Sequence, residues 1–487
     1  MTRTHRPDTP GQAGDDVVVP AAVPVAEQSG NPGRKVRDRA SAAVAAGVGA
    51  WVFLPLGGRI SITEIAAVLL APAAVLALLR VRRGRAFLVL GAAWLGGLLL
   101  GHVLHPAPTA VLVKALSSAT VLVLTVGLVC AVLRLHSRPG QARDLVIAGF
   151  AVGQVVGMVL TPPAYAAFDP WKFGLGQAFT LLVLIAVSRV APAAQRVAVP
   201  VALVALAALH LVLGSRSLSL FALLIALAAA VTPAVLSRRG WGRAIGLAAV
   251  AVLAAVLLGR LYADLAESGE LGSVQQQKIQ FQNGDYGVGL GGRKDVVFLA
   301  SGIVENPLTG WGPAARVPSG VKTAAVVWLR THGYPIGGYD LVTFVLPDSL
   351  YLHSVLLGAW VTGGILALPL WLLVFGLIGR AMIRAVRARS LAEAYLLLVA
   401  AWHILFSPLG DSTRGHIAVA VALSLTSLAQ RRQQRAGGEG ADQGVADPGG
   451  DGGVVGDQPR PGRHRAQPGQ HTGQENAADD RLPAPGL

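Results

Sequence analysis

Three side chains with the chemistry to act on a diphosphate stand far apart in the chain. Arg216 lies in "LVLGSRSLSLFALL", Arg293 in "GVGLGGRKDVVFLASGIVENPLTGWG" and His353 in "PDSLYLHSVLLGAWVTGG". A guanidinium is a permanent cation with a planar fork of donors, which suits a diphosphate by charge and by geometry. An imidazole, with an ordinary pKa of about 6.5, accepts a proton at neutral pH. Two such cations and one such base could steady a departing phosphate group while a hydroxyl is deprotonated. Taken singly, each residue has a plainer role. Arg216 could be a snorkelling helix anchor, Arg293 a surface cation, and His353 a polar group in the headgroup zone.

The elements that must position these groups follow from composition. Of 487 residues, 53% are hydrophobic and 14% charged, and apolar stretches of near-spanning length recur between residues 40 and 430. A helix crosses the roughly 30 Å bilayer core in about 20 residues. The expected fold class is therefore all-α, a polytopic transmembrane helical bundle of about twelve helices. They are expected near 41–57, 61–79, 86–104, 108–133, 144–161, 175–190, 196–213, 217–236, 243–261, 350–378, 391–406 and 414–429. Residues 1–39 and 431–487 are polar and rich in Gly, Pro and charge, which predicts disordered tails flanking a membrane domain over 40–430. The N-terminal segment shows no signal-peptide pattern, so the first helix is expected to act as an uncleaved anchor. Cys130 is the sole cysteine, which excludes an intrachain disulfide and a cysteine metal site.

The connections alternate in charge. "GRKVRDR", "RVRRGR", "RLHSRPGQARD", "SRVAPAAQR", "SRRGWGR", "GRAMIRAVRARS" and "RRQQR" form a basic set. "GGR", "HPAP", "PPAYAAFDPWKFG", "GSR" and "SPLGDSTR" form the other, which is poor in cations. The positive-inside rule puts the basic set and both termini in the cytoplasm, at the cell membrane. It also accounts for the net charge of +15 without a nucleic-acid partner. Residues 262–348, between the ninth and tenth helices, become a large extracytoplasmic loop, long enough to be functional and apolar enough to form an ordered cap. Arg216, Arg293 and His353 then share the outer face, where arginine is disfavoured and Arg216 is the sole basic residue of its connection.

Other polar residues receive simpler readings. "GDYGVGLGG", before Arg293, reads as a flexible hinge; no strand-then-helix unit is expected around it to make a nucleotide loop. Lys294 and Asp295 read as ordinary loop charges, and Asp348 as a cap for the tenth helix ahead of a role in orienting the His353 ring. His332 and Asp340 have no metal-site spacing. Glu64 and Lys114 read as snorkelling groups, His403, Asp411, Arg414 and His416 as interfacial ahead of lining the same cavity, and Gln154 as a structural hydrogen bonder in mid-helix.

"GSRS" opening an apolar helix, "GGRKDVVFLASGIVENPLTGWG", and "LHSVLLGAWVTGGI" with Gly364 eleven residues after His353 together resemble the O-antigen ligase and polymerase superfamily of bacterial membranes. The order of these features, the helix layout and the long loop agree over residues 40–430. Ser354 stands where Asn is common, and the tails fall outside the pattern. The resemblance implies a GT-C-like bundle that transfers a glycan from a polyprenyl-diphosphate donor to an acceptor hydroxyl on the outer leaflet, with inversion and without a metal or cofactor. It implies His353 as the catalytic base, Arg216 and Arg293 as the diphosphate ligands, and a glycan or lipid acceptor as the second partner. The chemistry is coherent with the location. Outside the cytoplasm there is no ATP and no sugar nucleotide, so bond energy must arrive with the donor, whose lipid tail apolar helices would hold. Ligase and polymerase differ in acceptor, and the sequence does not separate them. A multi-pass transporter or flippase of lipid-linked glycans is the competing class. Against it, few charges fall mid-helix and no internal repeat is evident.

Overall fold

The computed structural model describes residues 32–55, 59–136, 138–163, 169–236, 257, 260–273, 276–277, 293–334, 336–350 and 352–427. Most of both expected tails, nearly all of the expected ninth helix and the glycine-rich stretch before Arg293 lie outside them. The described residues are predominantly helical, with a single short hairpin. Among the described residues, five helices are long and apolar enough to cross a membrane: Gly84–Leu104 (α4), Thr109–Arg134 (α5), most of Pro139–Leu160 (α6), Trp171–Ser188 and Leu368–Arg387. A bent pair, counted as one span, makes a sixth, and four further apolar helices are shorter. The chain is thus an all-α protein with the helices of a membrane protein.

The first turns of the bundle depart from expectation, for local reasons. The first helix, Pro32–Gly49 (α1), ends eight residues before the expected position. Phe53–Pro55 (β1) then pairs antiparallel with Arg59–Ser61 (β2). The expected second helix is two: Ile62–Leu69 (α2) and Ala71–Leu79 (α3), bent by 83°. Pro72 lies in the first turn of α3, where its missing N–H costs nothing, but its ring bars continuation from α2. α6 is laid against α1 by Gly149, Gly153 and Gly157. A Cβ at Gly153 would lie 2.8 Å from Val48 Cα. Small residues four apart let two backbones approach closely where lipid supplies no hydrophobic drive.

The second half of the bundle carries the site. Gly176–Ser188 (α7, continuing the Trp171–Leu175 turn), Pro192–Val212 (α8) and Arg216–Leu236 (α9) precede the long loop. Its described part contains Lys294–Glu305 (α10) and Ser319–Thr331 (α11). Val355–Gly363 (α12), Leu368–Arg387 (α13), Leu391–Phe406 (α14) and Asp411–Ser427 (α15) complete the chain. α15 is buried along almost its whole length, packed by α5, α13 and α14.

The expected tenth helix, 350–378, is interrupted as well. It starts at Val355, with Ser354 as N-cap accepting the Leu357 N–H at 3.1 Å. Asp348 is therefore not the cap; it lies near Lys322, whose charge it favours. The helix then breaks at Gly364, whose φ of 61° and ψ of −157° lie in a region open to glycine alone.

Candidate functional site

The loop helices are set on the bundle by the segment that follows α10. α10 presents Asp295, Phe298, Leu299, Gly302 and Ile303 to the interior, an i, i+3, i+4 pattern that gives a helix one buried face. Phe298, Leu299, Trp311, Ala325, Leu329, Leu350 and Val361 form a hydrophobic cluster that joins α10 and α11 to α12. The chain after α10 turns on Asn306, whose Nδ2 donates to the Gly310 carbonyl at 2.7 Å while Thr309 Oγ1 donates to its Oδ1 at 2.8 Å. The Trp311 N–H then reaches the Val361 carbonyl at 2.6 Å, and the Ile365 N–H reaches Leu308 at 3.0 Å. Gly310, at φ 68°, packs so closely on the α12 break that a Cβ would lie 2.7 Å from the Gly364 nitrogen. "PLTGWG" and Gly364, separate in the sequence reading, are thus one clasp. It fastens the helix that follows Arg293 to the helix that follows His353.

Two carbonyls at the end of α14 complete the alignment. Arg293 Nη1 donates to the Phe406 carbonyl at 3.1 Å, and Ser354 Oγ donates to the Ile404 carbonyl at 3.4 Å. Residues 293 and 354 are therefore fixed two positions apart on one helix end. A helix C-terminus suits the cation, because its last carbonyls carry partial negative charge. The Arg293 guanidinium also sits 5.6 Å above the Trp402 ring and 5.1 Å above Phe406. Cation–π contacts of this kind strengthen where water is partly excluded.

The electrostatics join Arg293, His353 and a third group. Burial pushes the half-buried His353 imidazole below its ordinary pKa; Asp295 pulls it up and Arg293 pushes it further down. The net shift favours the neutral ring. Burial raises the Asp295 carboxyl, against the opposing pull of His353, Arg293 and the backbone N–H groups of Asp295 and Val296. Asp295 is only 5% exposed, so it is not the ordinary loop charge expected from its neighbours. Lys294 is also engaged: its Nζ lies 2.8 Å from Asp340 Oδ2. Desolvation lowers the Arg293 pKa, with Asp295 opposing, but a guanidinium so far above neutrality remains charged.

Arg216 stands apart from this group. It opens α9, with its guanidinium 5.3 Å from the Tyr262 ring. Its helix reaches the others through aromatics. Phe221, on α9, meets Trp402 at 5.3 Å, and Trp402 meets Phe406 at 4.4 Å. The structure thus brings Arg293 and His353 into one electrostatic group and carries Arg216 on a helix packed against α14, to which Arg293 and Ser354 are bonded.

Several residues expected at an interface are buried instead. Arg414 Nε lies 2.8 Å from Glu64 Oε1, and Nη2 lies 3.3 Å from Oε2; the residues are 8% and 1% exposed. Glu64 is also committed to a capping box with Ser61. Neither is a snorkelling group. His416 is fully buried, with Nε2 donating to the Leu396 carbonyl at 2.9 Å; Gln177 Nε2 therefore donates to Nδ1 at 2.8 Å. Gln154 Nε2 donates to Gln177 Oε1 at 3.0 Å, the structural hydrogen bond expected of it. His403, half-buried near the end of α14, bonds Ser407 Oγ at 2.9 Å.

Asp295, Trp402 and Phe406 were not singled out in the sequence as site residues. The i, i+4 spacing of the two aromatics at the end of α14 was a usable signal. The acid two residues after Arg293 was another, since an acid in the first turn of a helix complements its dipole. A scan of protein-family models gives no match to this chain, and a search of curated proteins gives none either.

Proposed function

We propose that the chain is a membrane glycosyltransferase of the O-antigen ligase and polymerase type. It transfers a glycan from a polyprenyl-diphosphate donor to an acceptor hydroxyl on the extracytoplasmic side. The observation that carries this reading is the junction of Arg293 with His353. The Arg293 guanidinium, over an aromatic floor, bonds the Phe406 carbonyl, and Ser354, the residue after His353, bonds the Ile404 carbonyl at the same helix end.

The residues supply each part of a single displacement. As the acceptor oxygen attacks the anomeric carbon, the bond from that carbon to the diphosphate breaks. The bonding pair leaves with the diphosphate, where Arg293 and Arg216 take up the developing charge. The acceptor proton passes to the His353 lone pair. Attack and departure occur on opposite faces of the sugar, so configuration inverts. Preformed cations aimed at developing charge are commonly the largest single contribution in such sites. The competing transporter reading draws on the broken α2–α3 span and the buried Glu64–Arg414 pair. That acid is already saturated by a bidentate partner and its own cap, which leaves it no free valence for cargo.

The test is a transfer assay in membranes containing the full chain, a polyprenyl-diphosphate glycan and candidate acceptors. The wild type should form a new glycosidic bond. Arg293→Ala and Arg216→Ala should each lower its rate by about 10²–10³ while the protein remains inserted. Movement of the lipid-linked glycan across the bilayer with no new bond would favour the transporter class.

A further inference from the structure

Resting on the glycosyltransferase reading, we infer that Asp411 and Arg59 form the acceptor subsite. Their charged groups recognise adjacent hydroxyls of a sugar ring, so the acceptor is a glycan rather than a simple lipid alcohol.

The subsite starts from the turn that joins α14 to α15. Phe406 ends α14, where its carbonyl receives Arg293, and Asp411 begins α15. Five residues of chain span at most about 18 Å when fully extended. This turn is folded: the Gly410 N–H donates to the Pro408 carbonyl at 2.8 Å, and the Arg414 N–H to the Gly410 carbonyl at 2.9 Å. Arg59 faces Asp411 from the first residue of β2, which packs on α15. Arg59 Nη2 donates to the Thr161 carbonyl at the end of α6, and the guanidinium lies 4.7 Å from the Phe53 ring centroid. Three distant segments thus hold the arginine beside the acid.

The pair is charged but incompletely bonded. Arg59 Nε lies 3.7 Å from Asp411 Oδ2, and Arg414 Nη1 lies 3.9 Å from Oδ1. Both distances are too long for hydrogen bonds. Arg414 is committed to Glu64, at 2.8 Å. Arg59 Nε is buried with no hydrogen-bond partner among the described residues. The Asp411 side chain is nevertheless 38% exposed and that of Arg59 25%. An open ion pair of this length contributes little to stability, and its hydrogen-bonding capacity is left for a ligand. A carboxylate only accepts and a guanidinium only donates, whereas a hydroxyl does both. Two neighbouring hydroxyls of a sugar satisfy acid and arginine together; a lone alcohol offers one oxygen for the two. The acid repels a phosphate, which separates this subsite from the one at Arg293.

The placement suits an acceptor. α9 brings Arg216 to the α14 flank, whereas β2 brings Arg59 to the α15 flank. The end of α14, to which Arg293 and Ser354 are bonded, precedes the turn to Asp411. Inversion needs the attacking hydroxyl and the departing diphosphate on opposite sides of the anomeric carbon, and the two flanks supply them.

The experiment uses the full-length protein in nanodiscs with a polyprenyl-diphosphate glycan as donor. The acceptors are methyl glycosides of hexoses and 6-deoxyhexoses, with butanol as the lone-hydroxyl control. The wild type should transfer to at least one glycoside in preference to butanol. Asp411→Asn and Arg59→Gln should each raise the KM for that glycoside by about 10–10²-fold, what a hydrogen bond to a charged group contributes. The effect should fall on acceptor KM rather than on kcat or donor KM, as loss of a binding contact requires. Thermal unfolding should stay near that of the wild type, because Glu64 and Arg414 are intact. An acceptor KM that matches the wild type in both variants, or equal use of butanol and the glycosides, would overturn the inference. If the wild type forms no glycosidic bond, glycoside binding is read by saturation-transfer NMR. Binding that is lost in Asp411→Asn then keeps the subsite while the glycosyltransferase reading fails. Binding that is absent, or equal in the variant, overturns the subsite too.

Discussion

His353→Ala lowers the rate of glycan transfer by about 10²–10⁴, the usual contribution of a positioned general base. The loss should appear in the chemical step, with donor binding largely kept, because Arg216 and Arg293 remain. The pH dependence has a definite sign. The base must be neutral to accept the proton, so rate falls as pH drops through the His353 pKa. Burial, reinforced by Arg293, sets that pKa below the ordinary histidine range, and Asp295 only partly restores it. Activity should therefore persist into mildly acidic solution, where an exposed histidine would already be half protonated. The check is single-turnover transfer by wild type and His353→Ala across a pH series, with insertion verified for both. An unchanged rate in His353→Ala would remove the imidazole from the mechanism.

Glu64→Ala lowers stability by about 3–5 kcal/mol, the typical result of leaving one buried charge uncompensated. Arg414 is 8% exposed, and Glu64 supplies both of its carboxylate oxygens. The remaining partners of the guanidinium, Ser118 Oγ and the Arg59 carbonyl, lie at 3.4 Å and carry no full charge. Asp411 approaches only to 3.9 Å and is more exposed. The effect should propagate, since Arg414 belongs to α15 while Glu64 belongs to α2, and Glu64 also closes the α2 capping box. Thermal unfolding in detergent should show a large downward shift for Glu64→Ala. Glu64→Leu combined with Arg414→Leu should lose less than either single variant, because replacing both partners removes the desolvation penalty with the attraction. Additive losses in the double variant would contradict the ion-pair account.

Apolar runs made the helical class legible, because the length needed to cross a bilayer is a property of local composition. Local chemistry also accounts for what that reading missed in α2 and α3. Pro72 was visible, but a continuous apolar pattern spans it, and composition alone does not register a bend. The Glu64–Arg414 pair had no local signature, since its members lie 350 residues apart and each is an ordinary charge near a helix end. Asp295 was hidden by its neighbours: between Lys294 and a valine it reads as a surface acid, and only the docking of α10 buries it. The glycines were legible as motif positions but not as contacts. That Gly310 and Gly364 touch depends on the turn at Asn306, which draws two distant segments together. Arg293 and His353 stood out in the sequence through the shared outer face and the motif resemblance, not by residue type alone; in the structure Arg293 and Ser354, which follows His353, both bond carbonyls at the end of α14.

The central claim is that Arg216, Arg293 and His353 meet one diphosphate on the extracytoplasmic side. Its most direct test is site-specific labelling. With Cys130, which is buried in α5, replaced by alanine, single cysteines at 216, 293 and 353 are treated with a membrane-impermeant maleimide on intact cells. All three should label from outside, and a polyprenyl diphosphate should protect all three together, whereas the matching polyprenol should not. Labelling of any one only from the cytoplasmic side, or protection of none by the diphosphate, would contradict the account.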